Sequence, residues 1–243
     1  MKGLDWGAMI PQKRRSAMAE PLNLHLPKHA DLSRLLGLLL GACTAAASDS
    51  DDAASPLRCA CSSVALPAAV ATETDLAVLL AEVGRVLYPE QGGVSVGIGP
   101  VDHLKYFRAW TELDTLSLPP RERRYTIHYD PAVLAEPPAP AALAAVFAHE
   151  LGHVDDYLGM DSTALVEFAA WYAGEDPTTS ASLAEYERAT DEKALARGCA
   201  DGLRQVREWI YAHADEATEA EKRRNYYTPE EIDAWVEENG GCP

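Results

Sequence analysis

The chain has few basic side chains for its size, with 21 lysines and arginines against 38 aspartates and glutamates in 243 residues. Its formal net charge is therefore −17 at pH 7. Proteins that bind nucleic acids neutralise phosphates with clustered lysine and arginine, so this composition argues against a nucleic-acid partner. The sequence also lacks an apolar run of about 18 residues, which argues against a membrane-spanning helix. Its hydrophobic content of 47% is enough for one compact domain and excludes a wholly disordered chain.

The front of the chain differs in charge from the remainder. Residues 1–42 carry a net charge of +3, and the rest of the chain carries −20. Within this front, an apolar run at residues 35–42 follows Arg34 and precedes Cys43. A basic region, an apolar core and small residues in this order are typical of a secretory signal. We therefore interpret residues 1–42 as a targeting segment, whose long basic region an internal start at Met9 or Met18 would shorten. The alternative is a disordered terminus with a short apolar helix.

The residues around Cys43 resemble a bacterial lipobox, in which the cysteine becomes the lipidated first residue of the mature protein. This resemblance implies an exported lipoprotein, periplasmic or on the cell surface, with a lipid anchor at Cys43. The alternative is a cytoplasmic protein whose signal does not function. Small and acidic residues follow, so we interpret residues 43–71 as a flexible acidic tether and residues 72–243 as a single domain. A propeptide at residues 44–75 is an alternative.

Four cysteines remain if Cys43 is acylated: Cys59, Cys61, Cys199 and Cys242. Two cysteines at i and i+2 point apart in an extended chain, so a bond between Cys59 and Cys61 is unfavourable. Two complete pairings then remain, each joining these two residues to Cys199 and Cys242, and a single bond between the last two is a further alternative. A metal site at Cys59 and Cys61 is disfavoured because no second cysteine pair accompanies them.

The spacing of apolar residues predicts an α+β fold. A helix at 75–88, capped by Thr72 or Thr74, precedes a strand at 94–98 and a second strand at 124–129. The segment between these strands is ambiguous, and its residues 106–110 fit either a strand or a helix. The remainder is almost wholly helical, with helices predicted at 140–158, 161–174, 180–198, 200–214 and 228–239.

Helix 140–158 contains the segment His149-Glu150-Leu-Gly-His153. Two histidines four residues apart lie on one face of a helix, one turn apart, where both can bind one metal ion. Glu150 lies beside them and can accept a proton from a water molecule that the metal activates. The small residue Gly152 predicts that another element passes close to this helix.

Two histidines do not complete a catalytic zinc site, which needs a third protein ligand. Neither histidine nor aspartate stands six residues after His153, so the ligand must come from elsewhere. Glu187 and Asp191 share a helix face at i and i+4, and we predict that the first binds the metal and the second accepts a hydrogen bond from a ligating imidazole. Glu185 and Glu192 are other candidates for the third ligand, but neither has a second carboxylate at this spacing. The alternative is that the acidic side chains of this helix simply face solvent.

The two segments HELGH at 149–153 and ERATD at 187–191 resemble the HExxH…ExxxD signature of gluzincin metallopeptidases, and most of all the minimal gluzincin group. The similarity covers roughly residues 124–200, and Thr190 departs from the alanine common in that group. It implies a zincin-like fold, with a small sheet and a mainly helical C-terminal half, in a soluble lipoprotein-like member. The resemblance also implies one Zn²⁺ per chain and these roles: metal ligands His149, His153 and Glu187; general base Glu150; support of a histidine by Asp191.

The expected function is a zinc-dependent metalloendopeptidase that hydrolyses a peptide or protein substrate outside the cytoplasm. One alternative is a weakly active or inactive binding or assembly lipoprotein, and another is a hydrolase of a different amide. A further donor usually stabilises the oxyanion in such reactions, for which Tyr226, Tyr227 and His213 are candidates. We also expect the strand at 124–129 to be a sheet edge that aligns the substrate, with His128 either lining the cleft or exposed.

Overall fold

The computed structural model describes residues 60–102 and 106–240. The predicted targeting segment at 1–42, the proposed lipidation site Cys43, and the residues Cys59 and Cys242 therefore lie outside the described residues. Among the helices of the described part, none combines the length and apolarity needed to cross a membrane.

The fold is α+β, as predicted. The helices predicted at 140–158, 161–174, 200–214 and 228–239 are confirmed to within a residue or two, and the helix predicted at 180–198 ends three residues earlier. The described residues form these strands and α-helices in chain order: α1 (Glu73–Leu87), β1 (Ser95–Pro100), β2 (Phe107–Thr111), β3 (Arg124–Tyr129), α2 (Pro140–Leu158), α3 (Ser162–Gly174), α4 (Ala181–Leu195), α5 (Ala200–His213), α6 (Glu216–Asn225) and α7 (Pro229–Asn239).

The three strands form one mixed sheet in the order β1-β3-β2. The central strand β3 pairs in parallel with β1, where Ile127 lies opposite Ile98, and antiparallel with β2, where Ile127 lies opposite Ala109. The expectation that residues 124–129 form a sheet edge is therefore wrong. Those residues alternate buried and less buried positions, so one face of β3 packs Tyr125, Ile127 and Tyr129 into the core, while both of its edges pair with neighbouring strands.

Helix α2 runs through the centre of the domain and is buried along most of its length. It packs against α1, α4, α5 and β2. On one side, the Tyr88 hydroxyl donates to the carbonyl oxygen of Ala148 at 2.6 Å. On another side, Gly202 of α5 leaves no room for a side chain, because a Cβ there would lie 2.4 Å from the carbonyl oxygen of Ala141. Helix α2 is thus fixed from several directions, which makes it a rigid support for the side chains it carries.

Helix α6 is the one α-helix of the described part that the sequence pattern did not predict. Asp215 caps its first turn by accepting from the amide of Thr218, and the helix ends at Asn225. The residues it buries are Thr218 and Asn225, both polar, so no apolar stripe marks the helix in the sequence. By contrast, Thr72, one of the two candidate caps of α1, forms a complete capping box, and Thr228 forms another at the start of α7.

Residues 60–71, which the sequence interpretation placed in the tether, lie against the domain. Val64 and Val70 are 5% and 3% exposed and belong to the core. Cys61 forms a disulfide bond with Cys199, which directly precedes α5. This bond agrees with one of the two complete pairings that the sequence left open, and it links the start of the described chain to the region beside α4.

Removing this disulfide should lower the free energy of unfolding by about 3–5 kcal/mol, because the bond closes a long loop with a sequence separation of 138. Urea denaturation of Cys61→Ala and Cys199→Ala measures the loss. Since each substitution breaks the same bond, the double variant should lose about as much as either single variant. Losses that add in the double variant would contradict the assigned pairing.

Candidate metal centre

The two histidines of α2 face one point. His149 and His153 are 5% and 6% exposed, and their ring centroids lie 4.8 Å apart. Their Nε2 atoms are separated by 3.1 Å. The i, i+4 spacing on a continuous helix produces this convergence, as the sequence predicted.

Helix α4 supplies the third member of the group. Glu187 is 2% exposed, and its Oε2 atom lies 3.3 Å from Nε2 of His149 and 3.4 Å from Nε2 of His153. The competitors Glu185 and Glu192 are both exposed, and the latter accepts a hydrogen bond from a tyrosine. Among the described residues, His149, His153 and Glu187 are the group whose side-chain atoms could hold a metal ion.

The geometry of these three atoms fits a bound metal ion. They form a triangle with sides of 3.1, 3.3 and 3.4 Å. Ligands at 2.0–2.1 Å from a tetrahedral ion lie about 3.3 Å from one another, which matches those sides. Glu187 Oε2 is moreover a buried oxygen without a hydrogen-bond partner in the described part of the chain. A cation at this point would satisfy that oxygen.

A buried ion pair orients the first histidine. His149 Nδ1 lies 2.8 Å from Oδ1 of Asp191, and because a carboxylate only accepts, the ring nitrogen carries the proton. Arg207 of α5 donates to both carboxylate oxygens at 2.7 and 2.9 Å, and the amide of Tyr227 donates to Oδ2 at 3.0 Å. Burial raises the pKa of Asp191, but Arg207 and His149 outweigh it and lower the pKa overall. The Nε2 lone pair of His149 is therefore left for a metal.

Two tyrosines support the other ligands. The Tyr186 hydroxyl lies 2.8 Å from Nδ1 of His153, and the Tyr172 hydroxyl of α3 donates to Oε1 of Glu187 at 2.8 Å. Burial raises the pKa of both phenols, and the charge of Glu187 raises it further, so both stay protonated. Each metal-facing side chain thus has a hydrogen-bond partner on its far side, which holds the ligating atom in place.

The charges of the group favour a cation. Burial raises the pKa of Glu187, but His153 and His149 outweigh it and hold the pKa well below its usual range. Burial lowers the pKa of His149, yet the Asp191 hydrogen bond and the neighbouring Glu187 carboxylate outweigh it and raise the pKa to about 10. Without a metal, a proton on His149 provides the positive charge that these carboxylates require.

Glu150 sits at the edge of the sheet. Its Oε2 atom accepts a hydrogen bond from the amide of Ala109 in β2 at 2.6 Å, and the side chain is buried. A cavity of about 350 Å³ opens beside Glu150, His153 and Glu187. It is lined by the strand β2 (Phe107, Arg108, Ala109, Trp110), by α2 (Glu150, His153, Tyr157), by α3 (Phe168, Ala169, Tyr172, Ala173), by α4 and the segment before it (Glu175, Pro177, Leu183, Glu187), and by α6 and its end (Glu221, Lys222, Asn225, Tyr226).

The three predicted oxyanion donors lie in different places. Tyr226 lines the cavity, and its ring centroid is 5.7 Å from that of His149. The hydroxyl of Tyr227 donates to Glu192 at 2.8 Å, and His213 is an exposed residue that contacts the carbonyl oxygen of Trp209. Tyr227 therefore contributes to the site through its backbone amide, and His213 lies outside it.

The strand beside the cavity is β2, which the sequence left ambiguous between strand and helix. Its edge position and the Ala109 amide bring it against Glu150, whereas the predicted strand β3 is central. His128 of β3 is half-buried and does not line the cavity. The sequence did not decide between strand and helix for β2, because its alternation is short and adjoins irregular segments.

Sequence reasoning also missed four side chains of the site: Arg207, Tyr172, Tyr186 and Lys222. Tyr186 directly precedes Glu187, so only the helix geometry reveals that its hydroxyl turns back to His153. The others come from α3, α5 and α6, at distances along the chain that no motif specifies. A signal existed for Arg207 alone, since an arginine within the apolar stripe of α5 requires a buried acidic partner.

Comparisons of the chain with protein-family models, with curated proteins and with solved structures gave no significant match.

The metal ligands can be tested by substitution. Glu187→Gln should weaken zinc binding at least about tenfold, because it replaces a charged ligand with a neutral amide of the same shape. Competition with a chromophoric chelator measures the affinity. Glu185→Gln, which changes an exposed glutamate on the same helix, should leave it unchanged. Equal affinities for the two variants would contradict the assignment of Glu187.

Zinc affinity should also increase with pH between about 6.5 and 9, because an ion and a proton compete for His149. The raised pKa, about 10, means that the proton is favoured across this window. Affinity should then rise about tenfold per pH unit, since each ion displaces one proton. Asp191→Asn removes the main cause of the raised pKa and should flatten this dependence. An affinity that does not change with pH in the native protein would contradict the competition.

Proposed function

We propose that the protein is a zinc-dependent metallopeptidase with a zincin-like fold, and that it hydrolyses peptide bonds in a peptide or protein substrate. The observation that carries this proposal is the convergence of His149, His153 and Glu187 on one point beside Glu150 and an open cavity. The resemblance of the two sequence segments to the gluzincin signature supports the same conclusion independently of the geometry.

The donor set favours zinc. Two imidazole nitrogens and one carboxylate oxygen are a ligand set that catalytic zinc sites use, with a further position left for water or substrate. When bound, zinc polarises a scissile carbonyl group and lowers the pKa of water to near 7. We propose one ion per chain, held by His149, His153 and Glu187.

Glu150 is the proposed general base. It takes a proton from the attacking water and passes it to the leaving amine as the peptide bond breaks. The hydrogen bond from the amide of Ala109 to Oε2 fixes the carboxylate at the cavity wall, which His153 also lines. A carboxylate held in one orientation loses less entropy on reaching its reactive geometry, which supports this role.

The proposed substrate alignment uses β2. This strand is an edge of the sheet and lines the cavity through four consecutive residues. An extended peptide can pair with such an edge through main-chain hydrogen bonds, which orient the scissile bond without specifying its sequence. Among the candidate donors, Tyr226 is the proposed stabiliser of the oxyanion, because it lines the cavity beside His149.

We also propose that the domain works outside the cytoplasm, as the interpretation of residues 1–42 and Cys43 suggests. The disulfide between Cys61 and Cys199 supports this part of the proposal, because such bonds persist in oxidising compartments.

The general base provides the decisive test. Glu150→Gln keeps the shape of the side chain but cannot accept the proton, so peptide cleavage should fall by a factor of about 10²–10⁴. Zinc content, measured by atomic absorption, should stay at one ion per chain. Glu167→Gln, which changes an exposed glutamate of α3, is the matched control and should retain full activity.

Cleavage of a peptide library by the purified native protein is the baseline for this comparison. If the native protein binds zinc but cleaves no peptide, the alternative of an inactive binding or assembly factor replaces the proposal. If Glu150→Gln cleaves as fast as the native protein, Glu150 is not the base.

A further inference from the structure

Arg207 is a buried arginine that touches three parts of the metal centre. Only 5% of its surface is exposed. Its guanidinium group donates to both oxygens of Asp191, and its Nε donates to the carbonyl oxygen of Tyr227 at 3.3 Å. Its Cζ atom also lies 4.7 Å from the centroid of the Tyr226 ring. One side chain thus contacts both the support of a metal ligand and the wall of the cavity.

On the first side, Arg207 acts on His149 through Asp191. The carboxylate accepts from Nδ1 of His149, and Nη2 of Arg207 donates to both of its oxygens, so the arginine fixes the position of the carboxylate. A carboxylate fixed in this way allows one orientation of the imidazole ring. Because Nδ1 of His149 donates to this carboxylate, its Nε2 atom faces the point where Glu187 and His153 converge.

On the second side, Arg207 holds the segment that carries Tyr226. Both backbone polar groups of the following residue, Tyr227, are bound: its amide donates to Asp191 and its carbonyl oxygen accepts from Arg207. The Tyr226 ring lies against the guanidinium group and is 5.7 Å from the His149 ring. The same ion pair therefore determines where the histidine points and where the tyrosine stands.

We propose that Arg207 is a positioning residue that couples the orientation of the metal ligand His149 to the placement of Tyr226 on the cavity wall. The link to His149 can be tested through metal binding alone and does not assume peptidase activity. The link to Tyr226 rests on the proposed function, because it assigns that tyrosine a contact with the group bound at the metal.

The first experiment measures zinc affinity, without a substrate, for Arg207→Lys. A lysine keeps the charge, but its single ammonium nitrogen cannot hold both Asp191 and the carbonyl oxygen of Tyr227, as Nη2 and Nε of Arg207 do. Zinc affinity should therefore fall about tenfold or more. Arg204→Lys is the matched control, because Arg204 lies on the same helix in exposed ion pairs with Asp201 and Asp233. An Arg207→Lys affinity within twofold of the native value would overturn the proposal.

A second variant guards against loss of the fold. In the double variant Asp191→Asn with Arg207→Gln, both charges are removed together, so no buried charge is left without a partner. This variant should unfold cooperatively, as circular dichroism can show, and should still bind zinc about tenfold more weakly or worse. A folded double variant with native zinc affinity would equally overturn the proposal.

The second experiment tests the link to Tyr226 with a double-mutant cycle. Affinity of the zinc-loaded protein for acetohydroxamate is measured for Tyr226→Phe, for Arg207→Lys and for both together. Tyr226→Phe should weaken binding several-fold in the native background and have little effect once Arg207 is replaced. Additive effects would show that Arg207 has only a structural role, and would overturn the coupling.

The outcomes separate this inference from the proposed peptidase activity. Neither acetohydroxamate affinity nor zinc affinity requires turnover, so the coupling can hold in a protein that cleaves no peptide. Conversely, an active peptidase with an additive cycle would retain its proposed function and lose this inference.

Discussion

The close packing of α4 against α2 is the constraint on which the candidate metal centre depends. A Cβ at Gly152 would lie 3.1 Å from Cγ2 of Thr190, so the two helices approach each other with little room to spare. Lys193 ties them further by donating to the carbonyl oxygen of Gly152 and to Asp156. His149 and His153 lie at i and i+4 on α2, and Glu187 and Asp191 lie at i and i+4 on α4. The close approach of the two helices therefore places one pair opposite the other, each pair spanning one helical turn.

Placing these side chains inside the domain carries an electrostatic cost that the surrounding residues offset. Buried carboxylates and imidazoles are unfavourable unless each polar atom finds a partner. Asp191 is fully buried and has Arg207, His149 and an amide as partners, while Glu187 has Tyr172 on one oxygen. The second oxygen of Glu187 is left without a hydrogen bond, at the point where the two imidazoles converge. The network is thus complete except where a cation fits.

The sequence predicted the parts of this arrangement that repeat along one helix. Apolar periodicity predicted α2 with correct bounds, and the i, i+4 spacings identified both pairs of polar residues. Prediction from the sequence failed where a segment shows no clear periodicity of apolar residues. The edge strand β2 is five residues long, which is too short for a clear alternation of apolar and polar residues. Helix α6 buries polar residues, so its sequence shows no apolar stripe. The expectation that β3 is an edge failed for a related reason, because strand order is set by contacts between distant segments.

What the sequence determined by itself is the chemistry available: two imidazoles and a carboxylate on α2, and two further carboxylates on α4, each set held in fixed spacing by helical geometry. Only the tertiary structure decided which of these groups meet. It brought Glu187, which the sequence favoured over Glu185, to the two histidines, placed Tyr226 rather than Tyr227 or His213 at the cavity, and brought Arg207 to Asp191. The physical reason is that spacing within a helix follows from local bonding, whereas contacts between helices follow from how whole surfaces pack.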